Sequence, residues 1–339
     1  MTSIKPTLPI DVISVVAGHL RRDRDRYNGQ VARESRRALA SLARVSRDIY
    51  TVVIPHLYHE VGQTIEQLNN LFEPLRNHRA ARACPDYRTL LNQIHMIDWP
   101  ILDRLLWRLS FIQIIRFQPR SNDDEDQLQA FIRTGEAIQA IQHAGELEQN
   151  DSLETYILFK SVRHVVIDMS DIQPFESSPQ TLLGNLIGCL QGTIPRSPSL
   201  CLRKMMTWAS WECQKRMLDR IPWAFVIIHK PSLAMLPPPD AELVIMDFAD
   251  NDALDIPSRE GDVDGRIMTL ECLGHLLLGH PMDTLEIVKP IGTDGSTLER
   301  YVNTLDNLVR ELSNDSDVAR EVEWRFIETD QSWCKCGSK

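Results

Sequence analysis

Apolar residues at Leu8, Val12, Ile13, Val16 and Leu20 recur at the three-and-four spacing of a helical face. Pro9 suits the first helical position, where its missing N–H is not needed, and Asp11 complements the helix dipole. A second stripe, Leu39, Leu42, Val45, Ile49 and Val53, predicts another helical face that Pro55 ends. Between the two stripes, positions 21–37 are polar and include Asn28-Gly29, which reads as a mobile, solvated connection. Two or three short helices over about 50 residues cannot close a core of their own, so this unit must pack on something else.

Beyond residue 61 the pattern changes to short Val/Ile-rich runs alternating with helical periodicity. Strands are predicted at 93–97, 111–117, 163–168, 224–229, 242–248, 284–288 and 321–326. Helices are predicted at 64–75, 101–109, 126–147, 180–190, 204–220, 266–278 and 297–312. Such alternation implies an α/β fold in which helical crossovers join parallel strands. Two architectures satisfy it: an irregular leucine-rich-repeat-like αβ solenoid, and an open, mostly parallel α/β sheet. Several runs share the spacing apolar-x-x-apolar-x-apolar, as in Leu91/Ile94/Met96, Leu109/Ile112/Ile114, Val162/Val165/Ile167 and Met282/Leu285/Ile287.

Composition narrows the function. The chain has 339 residues and a net charge of −10, unevenly spread. Residues 1–61 carry ten Lys/Arg against six Asp/Glu, so the remainder is strongly acidic and offers nucleic acid no general attraction. No apolar run approaches the roughly 20 residues of a membrane helix, and no secretory signal core is evident. Seven scattered cysteines fit reduced thiols, so the expected location is the cytoplasm or nucleus.

Candidate chemistry is sparse. The chain has no phosphate-loop, Rossmann or nucleophile-elbow motif. The acidic stretches 122–126 and 247–264 lack the ligand order of a calcium loop. Cys272, His275 and His280 fall on an apolar helix and lack a fourth ligand, and Cys334-Lys335-Cys336 stands in a tail expected to be disordered. The reading is therefore no catalytic residues, no metal and no cofactor.

The order Leu8-Pro9-x-Asp11, then Leu39-x-x-Leu42-Ala43-Arg44-Val45-Ser46-Arg47-Asp48-Ile49-Tyr50, then Pro55-x-Leu57-Tyr58, resembles the F-box of fungal F-box proteins. The connection 21–37 is longer than is usual in that family, and Ile49 stands where it often has Phe or Trp. The resemblance implies a unit at 1–61, with the F-box itself at 8–61, that docks on a Skp adaptor and through it on a cullin scaffold. Ubiquitin transfer is then the work of other subunits. By position, the adaptor-binding residues would be Leu8, Pro9, Val12, Ile13, Val16, Leu42, Val45, Ile49 and Tyr50. Some of these must instead pack within the unit.

The resemblance also favours the solenoid for residues 62–330, followed by the tail at 331–339, because bodies of that kind are common among such proteins. On that basis the unidentified protein target would meet outward-pointing strand residues, His95, Gln113, His164, Asp168 and Glu286, which alternate with apolar neighbours. The function implied is a non-catalytic, substrate-recruiting subunit of a ubiquitin ligase. The alternative is a scaffolding or binding protein that keeps the F-box fold outside a cullin complex.

Overall fold

Three short helices open the chain in the computed structural model: α1 (Ile10–Arg22), α2 (Arg33–Leu42) and α3 (Arg47–Leu57). The described residues are 9–23, 31–61, 107–117, 161–168, 197–203, 215–229, 240–249, 269–279, 282–314 and 322–328, with isolated positions 159, 184, 187, 190, 194, 231 and 254. Strand 93–97 with His95, helices 64–75 and 126–147, acidic stretch 122–126 and tail 331–339 lie outside them.

α1 begins after Pro9, carries Asp11 in its first turn and ends on Arg21 and Arg22, charges that complement its dipole. Ile13 and Ala17 of α1, Leu39 of α2 and Val53 of α3 form one small core. The second stripe is not one helix. A turn at Ala43–Val45 interrupts it, and the Ser46 hydroxyl accepts the Ile49 amide at 3.3 Å to start α3. Nor does Pro55 stop α3, which runs on to Leu57. So near the helix end, proline removes a single N–H and the Tyr58 amide closes the last turn on the Ile54 carbonyl at 3.0 Å.

The expectation of a solvated connection over 21–37 fails at both ends. Arg21 and Arg22 belong to α1, and Arg33–Arg37 belong to α2. The Ala32 amide donates to the Asp23 carbonyl at 2.9 Å, the Ser35 hydroxyl donates to the Asp23 carboxylate, and Val31 is buried. At positions 23, 32 and 35 the sequence supplies backbone and side-chain clasps between α1 and α2.

Among the described residues eight strands follow: β1 (Glu60–Val61), β2 (Ile114–Phe117), β3 (His164–Asp168), β4 (Ser199–Arg203), β5 (Trp223–His229), β6 (Ala241–Asp247), β7 (Thr284–Val288) and β8 (Glu323–Ile327). They form a single sheet in strict sequence order, and every described pairing is parallel. The fold is therefore mixed α/β with a parallel sheet. β1 belongs to that sheet, so the sheet already begins at the end of the segment assigned to the N-terminal unit.

Parallel sheets are covered on both faces, which is why their strands read as apolar runs. Val165, Leu200, Val226, Val244 and Leu285 share one face and one core with α4 (Leu270–Gly279) and α5 (Gly295–Asn314). Ile114, Val166, Cys201, Ile227, Ile245 and Val288 form a second cluster on the opposite face. In β2 the repeated apolar spacing falls three residues later than expected. Ile112, Ile115 and Phe117 match Val162, Val165 and Ile167, whereas Ile114 points to the second face. The same turn precedes three strands, with Ile112, Val162 and Ile221 amides donating to Leu109, Phe159 and Leu218 carbonyls at 3.0–3.1 Å.

Asp294 caps α5 by accepting the Thr297 amide at 2.8 Å and the Ser296 hydroxyl at 2.6 Å, which hold its carboxyl at about 2. Gly274 of α4 faces α5. A Cβ added there would meet Leu312 Cδ1 at 3.5 Å and Leu308 Cβ at 3.6 Å, ordinary contact distances. Glycine inside a helix costs roughly 0.5–1 kcal/mol relative to alanine. Gly274→Ala is therefore expected to raise the melting temperature by about 1 °C. A lower melting temperature would mean that the two helices cannot accept the methyl group.

Candidate functional site

An amphipathic helix in a small unit ordinarily turns its apolar side inward and its polar side to water. α1 departs from that rule. Ile13 and Ala17 are buried, yet Val12, Val15 and Val16 are 42%, 61% and 44% exposed. Positions 12, 15 and 16 lie on one side of the helix by its 3.6-residue period, so the exposed side is also apolar. Ile10 at the helix start and Val45 in the α2–α3 turn are likewise exposed. These exposed apolar side chains make up the candidate surface.

The structure divides the nine expected contact residues. Pro9, Val12, Val16 and Val45 are exposed. Ile13 is buried in the unit's own core, and Leu42 and Ile49 pack against that core. Tyr50 is turned toward the sheet: its hydroxyl accepts from Arg108 Nε at 3.0 Å and Nη2 at 2.7 Å, and its ring stacks on Trp107. Ile13, Leu42, Ile49 and Tyr50 are thus the members of the nine that pack within this chain, the division the sequence left open. Leu8 lies outside the described residues. Ile10 and Val15, also exposed, were not among the nine. The signal that finds them is the breadth of the apolar arc on α1, wider than one buried stripe requires.

His56 of α3 faces Gly18 of α1 at 3.9 Å from where a Cβ would stand, and its Nδ1 is buried without a hydrogen-bond partner. Burial, followed by the nearby charges of Arg21 and Arg22, lowers its pKa from 6.5. A lowered histidine pKa means that the unfolded chain takes up the proton first. This contribution to stability is full above 6.5 and is lost as pH falls through 6.5 toward the lower folded value. His56→Gln is expected to flatten that part of the stability–pH curve measured by denaturant titration between neutral and mildly acid pH. An unchanged slope would remove His56 from the account.

On the second face of the sheet, polar groups line up by register. Asp168, Arg203, His229 and Asp247 occupy adjacent positions at the carboxyl ends of β3 to β6. His229 Nδ1 lies 2.8 Å from Asp247 Oδ2. Burial pushes the Asp247 carboxyl up, but His229, the Ala249 amide and Arg203 together leave it lowered. The Arg203 guanidinium is lowered by burial and then by Arg116. Beneath the row, burial raises the Cys201 thiol far above its ordinary range, so it stays protonated and is no nucleophile at neutral pH. Among the described residues no group of three or more His, Cys, Asp or Glu side chains is placed to hold a metal ion, and no helix is long and apolar enough to cross a membrane.

The expected target-binding residues do not form one outward row. His164, Asp168 and Glu286 do share the second face, but His164 is only 1% exposed, with Nδ1 2.5 Å from Ser199 Oγ. It cannot offer a surface, because both faces of this parallel sheet are buried there. Asp168 is half-buried. Glu286 is half-buried and accepts from Arg325 Nε at 3.0 Å. Gln113 is exposed but precedes β2, with the opposite parity to Ile114, the register partner of His164. His95 lies outside the described residues. No family model, no curated protein and no solved structure matches the chain.

Proposed function

We propose that this chain is a substrate-recruiting subunit of a Skp–cullin–F-box ubiquitin ligase and performs no chemistry itself. The observation that carries the reading is the solvent-facing apolar side of α1, at Val12, Val15 and Val16, on a three-helix unit whose own core is already filled. The F-box resemblance places an adaptor contact on the same helix. Docking there would remove from water side chains that the chain itself leaves wet. In this reading the rest of the chain is a leucine-rich-repeat-like arc that holds the target. The described strands, which follow one another in sequence order, and a turn that recurs before β2, β3 and β5 support that arc over a doubly wound sheet, whose order reverses at a switch point. The ligase reading places the protein in the cytoplasm or nucleus.

Ile49 and Tyr50 favour a second reading, because two residues of the family's contact pattern are engaged inside this chain. That reading is a binding or scaffolding protein with the same helical unit and no cullin partner. Affinity purification of the full chain from cells, with detection of Skp and cullin, separates the two. Recovery of both supports the ligase subunit, and recovery of target proteins without either supports the scaffold.

A further inference from the structure

The helical unit meets the sheet at a joint with two sides. Chain continuity makes one: α3 ends at Leu57 and β1 starts at Glu60, leaving Tyr58 and His59 between them. The His59 carbonyl accepts the amides of Gln113 and Ile114 at 2.9 and 3.1 Å. Side chains make the other. Arg108, in the helical turn before β2, gives two N–H groups to the Tyr50 hydroxyl. Its guanidinium carbon lies 5.9 Å from the centre of the Tyr50 ring and 5.8 Å from that of Tyr58. Trp107 stacks on Tyr50 at 6.2 Å and meets Phe111 edge-on at 5.0 Å.

We infer that Arg108 is a positioning residue that sets the angle between the exposed face of α1 and the sheet, by gripping Tyr50 of α3 and Tyr58 of the connection together. A connection this short still leaves free backbone dihedrals, and relative motion is the ordinary behaviour of units that share a small interface. The rigid fork of arginine fixes direction as well as distance, and its cation is within range of both aromatic faces. Lysine would keep a positive charge near the rings but would lose the two-pronged donation. Burial raises the Tyr58 hydroxyl pKa against the opposing pull of Arg108, as expected where water is largely excluded.

The functional consequence rests on the ligase reading, since a recruiting subunit must present its target at a set distance from the scaffold. The joint itself does not. Spin labels on encoded keto side chains at the exposed positions Asp11 and Glu299, in the full chain, report the angle without touching native thiols. Arg108→Ala is expected to broaden the electron–electron distance distribution by roughly twofold, with adaptor capture through α1 unchanged. Arg108→Lys should broaden it partially, and Tyr50→Phe, which keeps the ring and removes the acceptor, should give a smaller broadening in a chain that melts normally. A distribution as narrow as wild type in both Arg108→Ala and Tyr50→Phe overturns the inference. If Arg108→Ala fails to fold, Tyr50→Phe alone decides it. Adaptor binding that is absent from the wild-type chain would count against the ligase reading and leave these widths interpretable.

Discussion

Val12→Asp/Val16→Asp is expected to abolish capture of a Skp adaptor while leaving the thermal melt within a degree or two of wild type. Both side chains are exposed, at 42% and 44%, so neither carboxylate is buried by folding. Complex formation would bury both. An unpaired charge in a desolvated contact costs several kcal/mol, so two should weaken binding by more than about a thousandfold. Val15→Asp, at 61% exposure, should act in the same direction. Ile49→Asp is the poor test, since Ile49 packs on the unit's own core and its variant would lose the fold along with the partner. Pull-down of the double variant beside its melting curve checks the claim. Undiminished capture by a folded double variant would show that α1 is not the docking face.

Arg116→Met is expected to destabilise the chain by about 3–5 kcal/mol, the usual cost of leaving one member of a buried ion pair without its partner. Arg116 Nε lies 3.0 Å from Glu60 Oε1, and both side chains are 1% exposed. The pair joins β1 to β2, so its loss strikes where the helical unit hands over to the sheet. Glu60→Gln/Arg116→Met removes both charges and should regain most of the loss, because two well-packed neutral groups need no hydration shell. Equilibrium unfolding in urea measures both variants. A single variant within about 1 kcal/mol of wild type would mean that water still reaches the pair.

Much of the sheet was legible because a parallel strand buried on both faces has little choice of residue. His164–Asp168, Trp223–His229, Ala241–Asp247 and Thr284–Val288 each carry the Val/Ile/Leu-rich run that this burial demands. β4 was missed because Ser199 and Arg203 bracket a three-residue apolar stretch, entered through Pro198 and a left-handed Ser197 at φ 59°. β1 is two residues long, too short for any period to register. The α2–α3 break was hidden because Val45 continues the numerical spacing of the stripe while standing outside it in space.

The candidate surface was legible only in part, for a different reason. Periodicity identifies apolar faces on a helix but does not say which one its own chain covers. That sorting comes from packing: Ile13 goes in and Val12 stays out, although they are adjacent in sequence. Tyr50 is committed by Arg108, 58 residues away, and no local pattern encodes that partner. His164 likewise reads as a polar strand position, and its partner Ser199 across the sheet, 35 residues away, leaves no local mark.

The most direct test of the adaptor reading is titration of the purified full chain with a purified Skp adaptor, followed by calorimetry and by co-elution. A one-to-one complex with a Kd at or below about 1 μM is expected, lost in Val12→Asp/Val16→Asp. No heat and no co-elution with the wild-type chain at about 100 μM adaptor would contradict it.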